Sequence, residues 1–164
     1  MRVLGIDPGT QSTGYGIVDE NSGRLSCGGM GVITTTSSLS LSKKLKKIHD
    51  GLVEVVKQFS PEAIVVENTF LSKNIQIAFK LGQARGVALL VGELYGLFVA
   101  EYTPTQIKLA ITGYGAAQKT QVQMMVGRLL SLKENPRSDH ASDALAAAIC
   151  HHHSIKMNEV LNPR

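Results

Sequence analysis

The chain is poor in the features that would place it in several common classes. Of its 164 residues only two are cysteines, Cys27 and Cys150, far apart and without a CxxC pairing. That argues against a disulfide-stapled or zinc-ribbon scaffold and suits a reduced, cytoplasmic protein. No apolar run approaches the roughly 20 residues of a membrane span, so no membrane partner is expected. The N-terminus opens on strand-like sequence with no charged region ahead of an apolar one, so no signal peptide is expected. There is no internal repeat, no low-complexity tract and no linker to split the chain. Charged residues make up only 18%, yet the balance is +4, which hints weakly at a polyanionic partner.

What is present is an ordinary globular mix with 43% hydrophobic residues, enough for one core and hardly for two. Residues 2–6, 14–18 and 25–34 read as strands separated by turn chemistry at Pro8-Gly9 and Asn21-Ser22-Gly23, predicting an antiparallel meander. From Ser40 to Phe59 the apolar period lengthens through Leu41, Leu45, Ile48, Leu52, Val56 and Phe59, an amphipathic helix. Its lysines 43, 44, 46 and 47 read most simply as a solvated face. A buried strand ending at Glu67, a long helix over 72–94, a strand over 97–102, a helix started by Pro104 and helices over 118–131 and 139–152 complete the pattern. This is an α/β fold with a five-stranded mixed sheet flanked by helices. The expected domain covers 1–153, with 154–164 a flexible tail. "HHH" at 151–153 continues a helical pattern and reads as native rather than as a tag.

Two apolar strands end in an acid: "VLGID" at Asp7 and "AIVVE" at Glu67. A turn-capping role would explain Asp7 alone. If the strand over 62–67 lies parallel beside the first, as right-handed crossovers favour, both acids emerge at the carboxyl ends where α/β sheets bind ligands. Adjacent carboxylates repel and raise each other's pKa unless a cation neutralises them. In "SDHASDALAAAICHHH", His140 and Asp143 share a helix face, as do Asp139 and Asp143, amid alanines that look like packing surface. Asp139 is also explained by its place in the first helical turn. Asp7, Glu67, His140 and Asp143 could together hold Mg²⁺ or Mn²⁺, and two ions about 4 Å apart could activate water against a phosphodiester.

The stretches "GIDPGTQSTGYG", "VVENTFLSKN", "KLGQARG", "IKLAITGYGAAQKTQVQMMV" and "NPRSDHASDALAAAICH" resemble, in order and spacing, the RuvC family of Holliday-junction resolvases. The resemblance implies a ribonuclease H-like fold, a homodimer, and Mg²⁺-dependent paired nicking of four-way junction DNA that leaves 5′-phosphate ends, in recombination and repair. It also implies work beside a branch-migration motor. Asp7, Glu67 and Asp143 match the family's catalytic acids. His140 stands where many members carry Asp, which leaves open whether it is a metal ligand or a general base, and whether Asp139 supplies the missing carboxylate. Phe70 matches an aromatic expected to stack on opened bases, and Lys108 and Lys119 match lysines near the cut phosphate. Lys73 and Arg85 are weaker candidates for DNA backbone contacts. Ala78, Gly82 and Gly86 form a small-residue stripe suited either to the protein's own sheet or to a two-fold helix pair.

Three rivals differ in kind. An actin-like ATPase shares the "GIDPGT" strand–turn but needs two such domains. A related single-domain nuclease acting on RNA shares the first motif only. A junction-binding module without catalysis would explain the basic balance but not the retained acids.

Overall fold

The computed structural model describes residues 1–68, 75–134 and 136–161, with the backbone alone for 159 and 160. The sheet is built from β1 (Arg2–Asp7), β2 (Ser12–Asn21), β3 (Arg24–Thr34), β4 (Ala63–Glu67) and β5 (Phe98–Tyr102). The helices are α1 (Leu41–Phe59), α2 (Ile75–Leu94), α3 (Pro104–Thr112), α4 (Lys119–Leu129) and α5 (Asp139–Leu161). Strand order is β3-β2-β1-β4-β5, antiparallel across the first three strands and parallel from β1 through β4 to β5. This is the expected mixed sheet of a ribonuclease H-like fold.

The boundaries moved in instructive ways. β2 runs well beyond the expected 14–18, because its pairing with β3 is carried to the Ser22-Gly23 turn, where both residues have positive φ. α5 continues past the expected 152 to Leu161, so the stretch after 153 is helical as far as that residue. The histidine triplet lies inside it and is tied down: His151 Nδ1 meets Tyr102 Oη at 3.0 Å, His152 Nε2 meets the Val18 carbonyl at 3.2 Å and His153 Nδ1 the Ala110 carbonyl at 2.9 Å.

Each face of the sheet carries its own core. On one, Leu4, Ile6, Ile17, Ile64 and Val66 meet Ile48 and Leu52 of α1 and Ala84, Ala88 and Val91 of α2. On the other, Val3, Val18, Ala63 and Val65 meet α3, α4 and the alanine-rich α5. The second face is unusually close. A Cβ built on Gly5 would stand 1.9 Å from the Ala144 carbonyl oxygen, one on Gly14 2.0 Å from that of His140, and one on Gly16 2.7 Å from the Leu145 side chain. Three glycines on β1 and β2 thus let the α5 backbone lie against the sheet.

The stripe on α2 resolves in favour of an outward face. Among the described residues, nothing lies within 4 Å of a Cβ built on Gly82 or Gly86, while Gly92, Ala84 and Ala88 take the sheet side. Ile75, Phe79, Leu90 and Leu94 are also exposed, at 72%, 69%, 53% and 63%.

Candidate active site

Asp7 is the last residue of β1 and Glu67 the last of β4. The parallel register runs Val3↔Ala63 to Ile6↔Val66, and one further step sets Asp7 beside Glu67. Alternation along each strand points Val3, Gly5 and Asp7, like Ala63, Val65 and Glu67, toward α5. The turn that follows β1 is closed by buried Thr13, whose hydroxyl donates to the Gly9 carbonyl at 2.7 Å.

The first turns of α5 bring the remaining groups. His140 Nδ1 lies 2.6 Å from Asp7 Oδ2, so with Asp7 ionised the proton sits on Nδ1 and the ring donates. Asp143 Oδ2 accepts from Lys119 Nζ at 3.0 Å. Asp139 is engaged by α4 instead: it accepts from Gln123 Nε2 at 2.8 Å and pairs with Lys119 at 3.3 Å. Of the two candidates for the vacant family carboxylate, His140 is the one that reaches Asp7.

The electrostatics tie the acids into one unit. Burial, then the charges of Asp7 and Asp143, push the Glu67 carboxyl up to about 7, against the opposing pull of Lys119 and Lys108. Burial likewise raises Asp7 despite the His140 hydrogen bond that favours its ionised form, and Asp143 adds to the rise. Lys119 is raised because Asp143 and Asp139 together outweigh the cost of its burial. Lys119 and Lys108 therefore both feel this cluster.

Among the described residues, no three His, Cys, Asp or Glu side chains stand as a ready-made metal cage. The donor chemistry nonetheless fits a hard divalent cation: carboxylates from three elements, two of them raised by burial and mutual repulsion that a cation would relieve.

Arg85 is ion-paired with Glu101 of β5, whose neighbour in register, Val66, belongs to the α1–α2 face. Phe70 and Lys73 lie outside the described residues. The sequence reading missed Gln123, whose amide holds Asp139, and the Tyr102–His151 pair joining β5 to α5. A polar residue one turn after Lys119 was the available signal for the first. The second joins residues 49 apart and has no local signature.

Residues 3–151 match the family model described as crossover junction endodeoxyribonuclease RuvC. This chain belongs to the RuvC family. It is 50% identical over 161 residues to a crossover junction endodeoxyribonuclease RuvC of Geobacter sulfurreducens, covering 98% of each chain. It is 53% identical over 154 residues to one of Pelobacter propionicus, covering 94% of this chain and 87% of that one. Among solved structures, Thermus thermophilus RuvC in complex with Holliday junction substrate aligns with a TM-score of 0.91 at 36% identity, over 96% of both chains. These likenesses favour the resolvase over the RNA nuclease, the ATPase and the non-catalytic module. No helix among the described residues is long and apolar enough to cross a membrane.

Proposed function

We propose that this RuvC-family chain is a Holliday-junction resolvase that nicks opposed strands of a four-way junction as a homodimer, with Mg²⁺, replaceable by Mn²⁺, as the cofactor. The observation that carries the reading is the convergence of Asp7, Glu67 and Asp143, electrostatically coupled, with His140 on Asp7 and Lys119 on Asp143. Held by Asp7, Glu67 and Asp143, a pair of divalent ions would supply Lewis acidity for the attack of water and the departure of the 3′-oxygen, leaving 5′-phosphate ends.

The chain's own residues do the rest. Asp7 orients His140 through Nδ1 and leaves Nε2 directed elsewhere, so His140 is suited to hold the proton released by the attacking water. That favours general base over ligand. Lys119 and Lys108 set positive charge beside the acids, where negative charge develops on the phosphate. We assign the exposed face of α2, with Phe79, Leu90 and open Gly82 and Gly86, to the partner protomer. A cytoplasmic setting, a branch-migration motor beside it, and DNA contacts by Phe70, Lys73 and Arg85 belong to the same proposal.

A nicking assay on a mobile four-way junction tests it: symmetric cuts with Mg²⁺ and with Mn²⁺, none with EDTA. Junction binding without a nick under either metal would leave only a binding module.

A further inference from the structure

Beside the acidic cleft lies a second cavity of different character. About 590 Å³ in volume, it opens between the Gly9 turn, the start of α1 and the first half of α2, and includes Thr10, Ser12, Ser37, Lys44, Lys80 and His140 in its walls. His140 belongs to both places, since its Nδ1 touches Asp7. Among the described residues, no Asp or Glu lines this groove. Its charge is therefore of one sign, whereas in the adjoining cleft Lys119 is matched by Asp143 and Asp139.

The lysines of α1 are not equivalent. Lys43, Lys46 and Lys47 are exposed, but Lys44 is half-buried and turned into the groove. Among the described residues, neither Lys44 nor Lys80 has an ion-pair partner. A lysine can bury its aliphatic stem while its ammonium stays accessible, so half-buried Lys44 and exposed Lys80 both leave a cation for an anion entering the groove. Hydroxyl-bearing residues in the wall provide the hydrogen-bonding groups that commonly accompany lysines on nucleic-acid phosphates.

We infer that this groove is a phosphate subsite for the cleaved strand, in which Lys44 and Lys80 hold a neighbouring phosphate of the strand whose scissile phosphate lies at Asp7. The inference rests on the nuclease reading above and adds two positioning residues to it. Because the groove ends at His140, a strand held there is directed into the acidic cleft, which by itself repels it. Lys44 and Lys80 thus offset locally what Asp7, Glu67 and Asp143 cost in phosphate affinity.

The test is junction binding by fluorescence anisotropy in EDTA over about 50–200 mM salt. It compares the parent protein with the Lys44→Ala, Lys80→Ala double variant. Each phosphate contact contributes about 0.7–0.9 to the slope of log affinity against log salt, so the double variant should be shallower by about 1.4–1.8. Lys57→Ala, an exposed lysine at the far end of α1, should keep the parent slope. The Lys44→Gln, Lys80→Gln pair should behave like the alanine pair. If only the alanine pair weakens, lost packing is responsible and the subsite falls. An unchanged slope in a double variant, with a parent that binds and nicks, overturns the subsite and leaves the nuclease standing. A parent that neither binds nor nicks overturns both.

Discussion

The two faces of the sheet are packed by opposite means. On the α1–α2 face, large aliphatic side chains such as Leu4, Ile6, Ile17 and Leu52 fill the space between sheet and helices. On the α5 face, Gly5, Gly14 and Gly16 let the helix lie directly against β1 and β2, and the large side chains, such as Leu145 and Ile149, pack around that close approach. The first arrangement yields stability and tolerates distance. The second brings a helix close enough for its short side chains, Asp143 and His140, to join the acids at the strand ends. The cluster of acids sits on the close face for that reason, while both faces supply apolar burial.

Substitutions on either face can break this contrast. Asp7→Asn keeps shape and removes charge, so junction cutting should fall by about 10³-fold or more while binding persists. Cleavage by that variant at parental rate would remove Asp7 from the chemistry. Leu52→Ala, in the fully buried opposite core, should cost about 2–5 kcal/mol in urea unfolding. Its cutting per folded molecule should be unchanged. Gly5→Ala should cost at least as much stability, because a methyl would meet the Ala144 backbone carbonyl oxygen at 1.9 Å and only a shift of α5 itself can relieve the clash. It should in addition slow cutting per folded molecule, since any retreat of α5 carries His140 and Asp143 with it. Equal activity losses in Leu52→Ala and Gly5→Ala would erase the distinction between the faces.

The smallest effect is a pH dependence confined to the close face. Glu67 has an ordinary value of 4.5 and is pushed up to about 7 by burial and then by Asp7 and Asp143. The folded chain therefore holds this proton more tightly than the unfolded chain. Its favourable contribution is complete below the unfolded value and is lost as pH rises through the folded one. Metal-free protein should lose on the order of 1–2 kcal/mol of stability between about pH 5 and 7.5, and Glu67→Gln should flatten most of that slope. Asp7, also raised, leaves a residual slope of the same sign. Added Mg²⁺ should reverse the loss, which thermal melts in EDTA and in Mg²⁺ would reveal.

Much of this was legible in advance, for local reasons. Turn residues at Pro8-Gly9 and Ser22-Gly23 announced the meander, and the aliphatic period of α1 announced its buried face. Asp7 and Glu67 stood out because a single acid closing an apolar strand is a costly choice. α5 was harder to bound, since its apolar, alanine-rich run continues into histidines whose partners, Tyr102, Val18 and Ala110, come from elsewhere in the chain. The α2 stripe read equally well as inward or outward, because small residues serve close packing on either side. Lys44 was indistinguishable from its neighbouring lysines until α2 and the Gly9 turn were set around it.

Strand and helix periods, turn chemistry and the types of the candidate-site side chains are properties of short stretches, and the sequence by itself determined them. Which acid partners which cation, that His140 rather than Asp139 reaches Asp7, and that one lysine of four enters a groove were decided only by the fold. Each of those outcomes depends on how closely α5 and α2 approach a common sheet edge. For α5 that distance is set by glycines more than 100 residues away from the groups they position, as with Gly14 and His140, and for α2 by its own small residues, as with Gly92.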